Sequence, residues 1–194
     1  MKTAAACVIL MLAACGLNDG DNAASDKAPA YVDEAPLPQK WPTPGPYNKV
    51  VEKSYPAYRA AFTDGGGGSA SFWTLFSHIR KNDIPMTAPV EMAVEPTKSG
   101  MRRVSMAFLY QKTDVGKPGR EGARVEVRDI PACRALSYTW QGPDSGANLT
   151  KAKSALESAL AERKLNATGF RLLGYNGPST PRARRTWELQ ALLD

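Results

Sequence analysis

The chain has 194 residues, of which 43% are hydrophobic and 23% charged, and its formal charge is +6. These values are typical of one globular domain with a sizeable core, and they exclude a long disordered or fibrous protein. An excess of basic residues suggests nucleic acid as a partner, but the export signal described next argues against nucleic-acid binding. We expect the charge to meet anionic lipid head groups or the carboxylates of a small ligand, unless it is simply a solvated surface.

The first fifteen residues, MKTAAACVILMLAAC, are typical of an export signal, with one lysine before a short apolar run. Leu12-Ala13-Ala14-Cys15 also fits the bacterial lipobox. We therefore expect residues 1–14 to be removed and Cys15 to carry acyl chains that anchor it in a membrane. The alternative is an ordinary cleaved signal. Gly16, not aspartate, follows the cysteine, which favours the periplasmic face of the outer membrane in a bacterial cell envelope.

Residues 15–46 are predicted to be a lipidated N-terminus followed by a disordered tether. Six of the fifteen prolines lie in this segment, and nothing in it repeats at a helical or strand period. The folded domain is assigned to residues 47–194, which hold 22 basic and 14 acidic residues, a formal charge of +8. With Cys7 removed and Cys15 acylated, only Cys133 is left, so no intramolecular disulfide is expected. We expect Cys133 to pack as a small hydrophobic residue in a strand.

A repeat with a spacing of 75 residues divides the domain into two halves. The run VVEKSYPAYRAAFT at 50–63 matches VEVRDIPACRALSY at 125–138, and Pro56 falls on Pro131. Each copy is followed by a glycine-containing break, a helical pattern and two strand-like runs. The predicted helices cover 69–82 and about 148–164, and the predicted strands that follow them cover 86–94, 103–111, 169–175 and 186–193.

The order strand, strand, helix, strand, strand therefore occurs twice. Two such units can bury their apolar faces only by joining their sheets. The predicted fold is α+β, a distorted and mostly antiparallel sheet or barrel of eight strands with two helices packed on it.

The junction DIPMTAPVEM, residues 83–92, contains two prolines that constrain the backbone. Pro85 disfavours a helical conformation at Ile84, so the preceding helix should end near Asn82. Pro89 has no N–H for a sheet ladder, which predicts an edge strand or a bulge at that position.

The run DIPMTAPV also resembles the helix-to-strand signature of the SOUL haem-binding family, usually a form of KIxMTAPV. The resemblance continues in VVEK and Tyr-Pro-Ala at 50–57, in LGYNGP at 173–178 and in RRTWEL at 184–189, and it covers essentially all of 47–194. It implies two pseudo-symmetric halves and a shallow apolar haem or porphyrin site beside the first helix. The same fold class includes small-molecule effector-binding domains of bacterial regulators, so haem is specific to one branch.

A porphyrin needs a flat apolar wall, cations near its propionates and, where iron is held tightly, an axial donor. Methionine suits such a wall because its thioether adapts to an irregular planar ligand. Each apolar candidate could instead be ordinary core. Arg80 and Lys81 are the candidate partners of the propionates. The candidate wall consists of apolar side chains on the first helix and the next strand: Phe72, Phe76, Ile79 and Met86.

His78 is the only histidine in the chain and the candidate axial iron ligand. The alternative is a helical histidine that binds no ligand. One branch of the family carries its axial histidine just before the tyrosine of the Tyr-Pro stretch, where this chain has Ser54, a poor iron ligand. Either haem is held without that bond, or His78, Tyr58 or a methionine substitutes, or the ligand is not an iron porphyrin.

The expected function is reversible binding of haem or a related tetrapyrrole by an envelope carrier, buffer or scavenger. One alternative is a module for another flat apolar molecule. A second is a structural protein with a degenerate pocket, which predicts that the face around Phe72 and Phe76 is sealed.

Catalysis is not favoured by the motifs, although carboxylate pairs and a haem-modifying enzyme stay open as alternatives. No serine-elbow motif accompanies the lone histidine, and no His/Cys/carboxylate cluster has metal spacing. The run Gly65–Gly68 lacks the Lys-Ser/Thr of a phosphate loop.

Overall fold

The computed structural model describes residues 29–98 and 100–194 and confirms the predicted α+β class. Two α-helices pack on one antiparallel sheet. The helices are α1, Ser69–Lys81, and α2, Gly146–Arg163, and a short 3-10 turn covers Arg182–Arg184. The strands are β1 Val50–Tyr55, β2 Tyr58–Asp64, β3 Val90–Thr97, β4 Gly100–Leu109, β5 Gly119–Glu121, β6 Val125–Ile130, β7 Cys133–Gln141, β8 Ala167–Gly174 and β9 Thr186–Leu193.

The strand order shows how the two halves join. It runs β1-β7-β9-β8-β3-β4-β2-β6-β5, so β8 and β3 meet at the centre. Each half also exchanges one strand with the other: β1 of the first half pairs with β7, and β6 of the second half pairs with β2. β6 and β7 lie 75 residues after β1 and β2, as the repeat predicts. The sheet is open and has nine strands in the described residues. The sequence missed β5 because it is a three-residue, fully exposed Gly-Arg-Glu segment with no hydrophobic alternation.

The junction after α1 is partly as predicted. The helix ends at Lys81 with Asn82 as its C-cap, which confirms the predicted boundary. The edge-strand prediction drawn from Pro89 is wrong, because Pro89 lies just before β3 and β3 is central, paired with both β4 and β8. A proline immediately outside a strand removes no ladder hydrogen bond from it. The register irregularity of β3 comes later, between Ala93 and Val94.

The core has two parts on opposite faces of the sheet. The larger lies under the helices, where Leu75 and Ile79 of α1 and Leu156 of α2 are buried. Ser145 caps the start of α2, since its side chain accepts a hydrogen bond from the Asn148 amide at 3.3 Å. The smaller core covers the other face with aromatic side chains, among them Trp41, Tyr55, Tyr58 and Tyr175.

Residues 29–46, which we call the N-terminal arm, pack on this second face. The Gln39 amide donates to the Gln111 carbonyl at 2.9 Å, and the Ala88 amide donates to the Pro36 carbonyl at 3.0 Å. Trp41 is only 5% exposed. The prediction of a disordered tether is therefore wrong for 29–46. The high proline content of this segment obscured the pattern of apolar side chains that dock the arm. The predicted export signal and the lipid-bearing Cys15 lie outside the described residues.

Beneath the arm, two carboxylates are buried and paired. Arg171 Nη1 lies 3.1 Å from Glu91 Oε2, and Tyr58 donates to the same oxygen at 2.7 Å. Lys53 Nζ donates to Glu188 Oε2 at 2.8 Å. Burial raises the pKa of Glu188, but the Lys53 ammonium and hydrogen bonds outweigh it, so this pKa lies below its usual value. Both carboxylates thus serve as ion-pair partners in the core.

Neither helix in the described part of the chain combines the length and apolarity needed to cross a bilayer.

Candidate functional site

A groove of about 730 Å³ lies between the start of α1, the segment 86–92 and the turn at 174–179. Small-molecule pockets commonly measure about 300–1,000 Å³. The lining is mostly apolar, and the arm contributes Glu34 and Ala35 to one wall. The large apolar side chains include Phe72, Trp73, Met86, Met92, Met106 and Trp187.

Gly174, the last residue of β8, lets the Trp187 indole lie close against the neighbouring strand. A Cβ atom at Gly174 would stand 2.7 Å from Trp187 Cζ3, closer than side chains tolerate. The GYNGP turn therefore begins at Gly174 itself, whose lack of a side chain makes room for Trp187 in the wall of the groove.

The aromatic face of α1 is partly open. Phe72 and Phe76 are half-buried and stacked, with ring centroids 6.0 Å apart and an interplanar angle of 12°. Trp73 beside them is 61% exposed. The sealed face expected of a degenerate pocket is thus not observed, since Phe72 lines the groove.

The structure brings two of the six candidate binding residues, Phe72 and Met86, into the groove. Phe76 lies one turn further along α1, outside the lining. Ile79 is buried in the core, and Arg80 and Lys81 are exposed at the end of the helix.

His78 lies away from the groove, in a cluster with Tyr110 and Glu121. Its Nε2 is 2.7 Å from the Tyr110 hydroxyl and its Nδ1 is 3.1 Å from Glu121 Oε2, while the residue is 6% exposed. Burial and the Glu121 carboxylate raise the pKa of Tyr110 to about 12, so its hydroxyl stays protonated. Both imidazole nitrogens have protein partners. The second axial candidate, Tyr58, is likewise buried under the arm against Glu91.

Two arginines at the groove were not among the sequence candidates. Arg103 pairs with Asp144 at 2.5 Å, and Arg185 Nε donates to the Thr180 carbonyl at 2.9 Å. Arg103 comes from β4 and Arg185 precedes β9, so the two meet only through the fold. Their one sequence signal is the position of Arg185 within the run RRTWEL at 184–189.

Glu34 fixes the arm to the turn at the groove. Its carboxylate accepts hydrogen bonds from the Gly177 amide at 2.6 Å, from Ser179 at 2.9 Å and from the Thr180 hydroxyl. Slight burial raises the pKa of Glu34, but these hydrogen bonds outweigh it and the pKa lies below its usual value. The Glu34 carboxylate is therefore ionised, and it holds the arm in place as a wall of the groove.

Within the described residues, no three His, Cys, Asp or Glu side chains are grouped to hold a metal ion. One polar atom of a lining residue is unpartnered. Trp187 Nε1 is buried and has no hydrogen-bond partner among the described residues. An unpaired buried N–H group costs about 1–3 kcal/mol.

The family model described as SOUL heme-binding protein matches residues 46–190, three-quarters of the chain. The chain belongs to the SOUL family. At the family level this membership indicates binding of haem or a related tetrapyrrole, and it confirms the resemblance found in the sequence. No curated protein matches this SOUL chain.

Solved structures share the SOUL domain's fold at low identity. The C-terminal domain of EcmrR has a TM-score of 0.56 and 17% identity, over 75% of this chain and 97% of that one. A hydrolase from Listeria innocua has a TM-score of 0.57 and 11% identity, over 76% of this chain and 93% of that one. An uncharacterized conserved protein from the same organism has a TM-score of 0.58 and 12% identity, over 75% of this chain and 92% of that one. These identities support a common fold alone.

The groove residues fit a tetrapyrrole. Phe72 and Trp187 offer aromatic surface, Met86 offers an adaptable apolar side chain, and Arg103 and Arg185 bring two guanidinium groups to the lining. Arginine binds carboxylates well because its planar donors match their geometry.

Proposed function

We propose that this SOUL domain binds haem or a related tetrapyrrole reversibly in the groove beside α1, as a carrier, buffer or scavenger at the bacterial envelope. The observation that supports this most is the combination of a largely apolar groove with Arg103 and Arg185 in its lining. A macrocycle would bury its faces against the apolar walls while its propionates meet the guanidinium groups. When bound, the haem iron supplies redox and ligand-binding chemistry.

The side chains at the groove support reversible binding. Among the described residues, the lining contains neither histidine nor cysteine, and His78 is held by Tyr110 and Glu121. The ligand is then retained mainly by packing and by charge. Such contacts suit a protein that must also release its cargo.

Titration of the full chain with hemin tests the proposal. We expect a saturable change of the Soret band at micromolar protein with one ligand per chain, because the groove is a single site of suitable size. The arm must be kept, since Glu34 and Ala35 form part of the wall. A linear change that never saturates would contradict tetrapyrrole binding. Saturable binding of another flat apolar molecule, with no effect of hemin, would instead favour the effector-binding alternative.

Envelope attachment through Cys15 is the second part of the proposal, supported by the lipobox Leu12-Ala13-Ala14-Cys15. We expect the wild-type chain expressed in a bacterium to incorporate labelled palmitate and to sediment with the outer membrane. Cys15→Ser should abolish labelling. Unlabelled wild-type protein in the soluble periplasmic fraction would contradict the anchor.

A further inference from the structure

Three methionine side chains, Met86, Met92 and Met106, line the groove. Met92 and Met106 are directly opposite each other in the β3–β4 ladder and are only 4% and 6% exposed. Met86 precedes β3 and is half-buried, so it is the most accessible of the three. The lining thus presents thioether sulfur to a ligand, with two more methionines beneath it.

Three oxygen donors at the groove already have partners in the protein. The Tyr175 hydroxyl is buried and lies 3.4 Å from both Trp41 Nε1 and Glu188 Oε2. Thr87 donates its hydroxyl proton to the Leu109 carbonyl at 2.5 Å. The Glu34 carboxylate accepts three hydrogen bonds from the 177–180 turn. Among the described lining residues, which include neither histidine nor cysteine, methionine thioether sulfur is the soft donor.

We infer that the groove binds ferrous haem in preference to ferric haem, because Met86 offers a neutral thioether to the iron. This inference rests on the proposed function. A soft sulfur ligand stabilises the softer, lower-charged Fe(II) state more than Fe(III), and methionine ligation raises haem potentials for that reason. Met92 and Met106 then serve as packing for Met86. The competing role for all three is an adaptable apolar wall, which would not distinguish the oxidation states.

The test uses the full chain with three probes: metal-free protoporphyrin IX, hemin, and haem reduced with dithionite under argon. Metal-free protoporphyrin reports the groove without any iron contact. We expect wild type to bind all three and to bind ferrous haem at least about tenfold more tightly than hemin, equivalent to about 59 mV for one electron.

Met86→Leu is the decisive variant, because leucine conserves volume and removes only the sulfur. We expect it to keep protoporphyrin affinity within about twofold while losing the ferrous preference and changing the visible absorption spectrum of the ferrous complex. Met101→Leu is the matched control, since Met101 is a half-buried β4 methionine outside the groove lining. It should retain the wild-type preference.

The outcomes separate the inference from the proposed function. If Met86→Leu retains the ferrous preference, or weakens all three probes equally, the thioether role is overturned and tetrapyrrole binding stands. If wild type binds no metal-free protoporphyrin, the proposed function itself is overturned.

Discussion

Replacing Trp41 with alanine is expected to lower the free energy of unfolding by about 3–5 kcal/mol, the usual range for truncating a buried tryptophan. The indole centroid lies 4.8 Å from that of Tyr55 and 5.2 Å from that of Tyr58, in edge-to-face contacts. The Arg171 guanidinium carbon lies 5.5 Å from the indole centroid. Loss of the indole would leave a cavity over these groups and admit water to the buried Arg171–Glu91 pair.

Trp73→Ala provides the matched control, because the same residue type is removed from a site that is 61% exposed. We expect its free energy of unfolding to lie within about 0.5 kcal/mol of wild type. Urea unfolding followed by far-UV circular dichroism measures both variants. Equal small losses for the two tryptophans would mean that the arm does not stabilise the domain.

Local signals in the sequence predicted the helices and most of the strands. α1 follows from the stripe containing Leu75 and Ile79, and the Pro85 constraint predicts its end within one residue. The 75-residue repeat predicts the pairing of two similar halves, because neither half can bury its apolar face alone. The open sheet edges at β1 and β5 were not predicted, since closure depends on twist and on pairing between distant strands.

The site was harder to predict because a helix face does not reveal where a groove ends. Phe72 and Ile79 lie on nearly the same side of α1, but seven residues separate them by about 10 Å along the axis. The groove lies at the first turns of α1, so Phe72 reaches it and Ile79 enters the core. His78 points about 120° away from Phe72 around the helix, toward Tyr110 and Glu121.

The arm was misjudged for a different reason. Composition averages over a window, and the prolines of 29–46 outweigh the few apolar residues that dock it. Trp41 and Leu37 find their partners on distant strands. Arg103 and Arg185 were missed in the same way, since an arginine in a strand or a polar turn looks solvated until the fold brings it to a groove.

Phe72→Ala should weaken tetrapyrrole binding at least about tenfold. Burying a phenylalanine side chain is worth about 1.5–3 kcal/mol, and each 1.4 kcal/mol is a factor of ten in affinity. Phe72 lines the groove and also packs edge-on against Phe108, with ring centroids 5.1 Å apart. Its removal would take away aromatic surface from the wall. Thermal unfolding of the variant should be measured alongside, so that loss of affinity is not confused with loss of fold.

The comparison of Phe72→Ala with Phe76→Ala tests the location of the binding site most directly. The two phenylalanines are stacked neighbours on one helix, both half-buried, and Phe72 alone of the pair lines the groove. Both variants and wild type are titrated with protoporphyrin IX by fluorescence. The structure predicts a loss of at least about tenfold for Phe72→Ala and less than about threefold for Phe76→Ala. Equal affinity losses in two folded variants, or a larger loss for Phe76→Ala, would contradict a tetrapyrrole site in this groove.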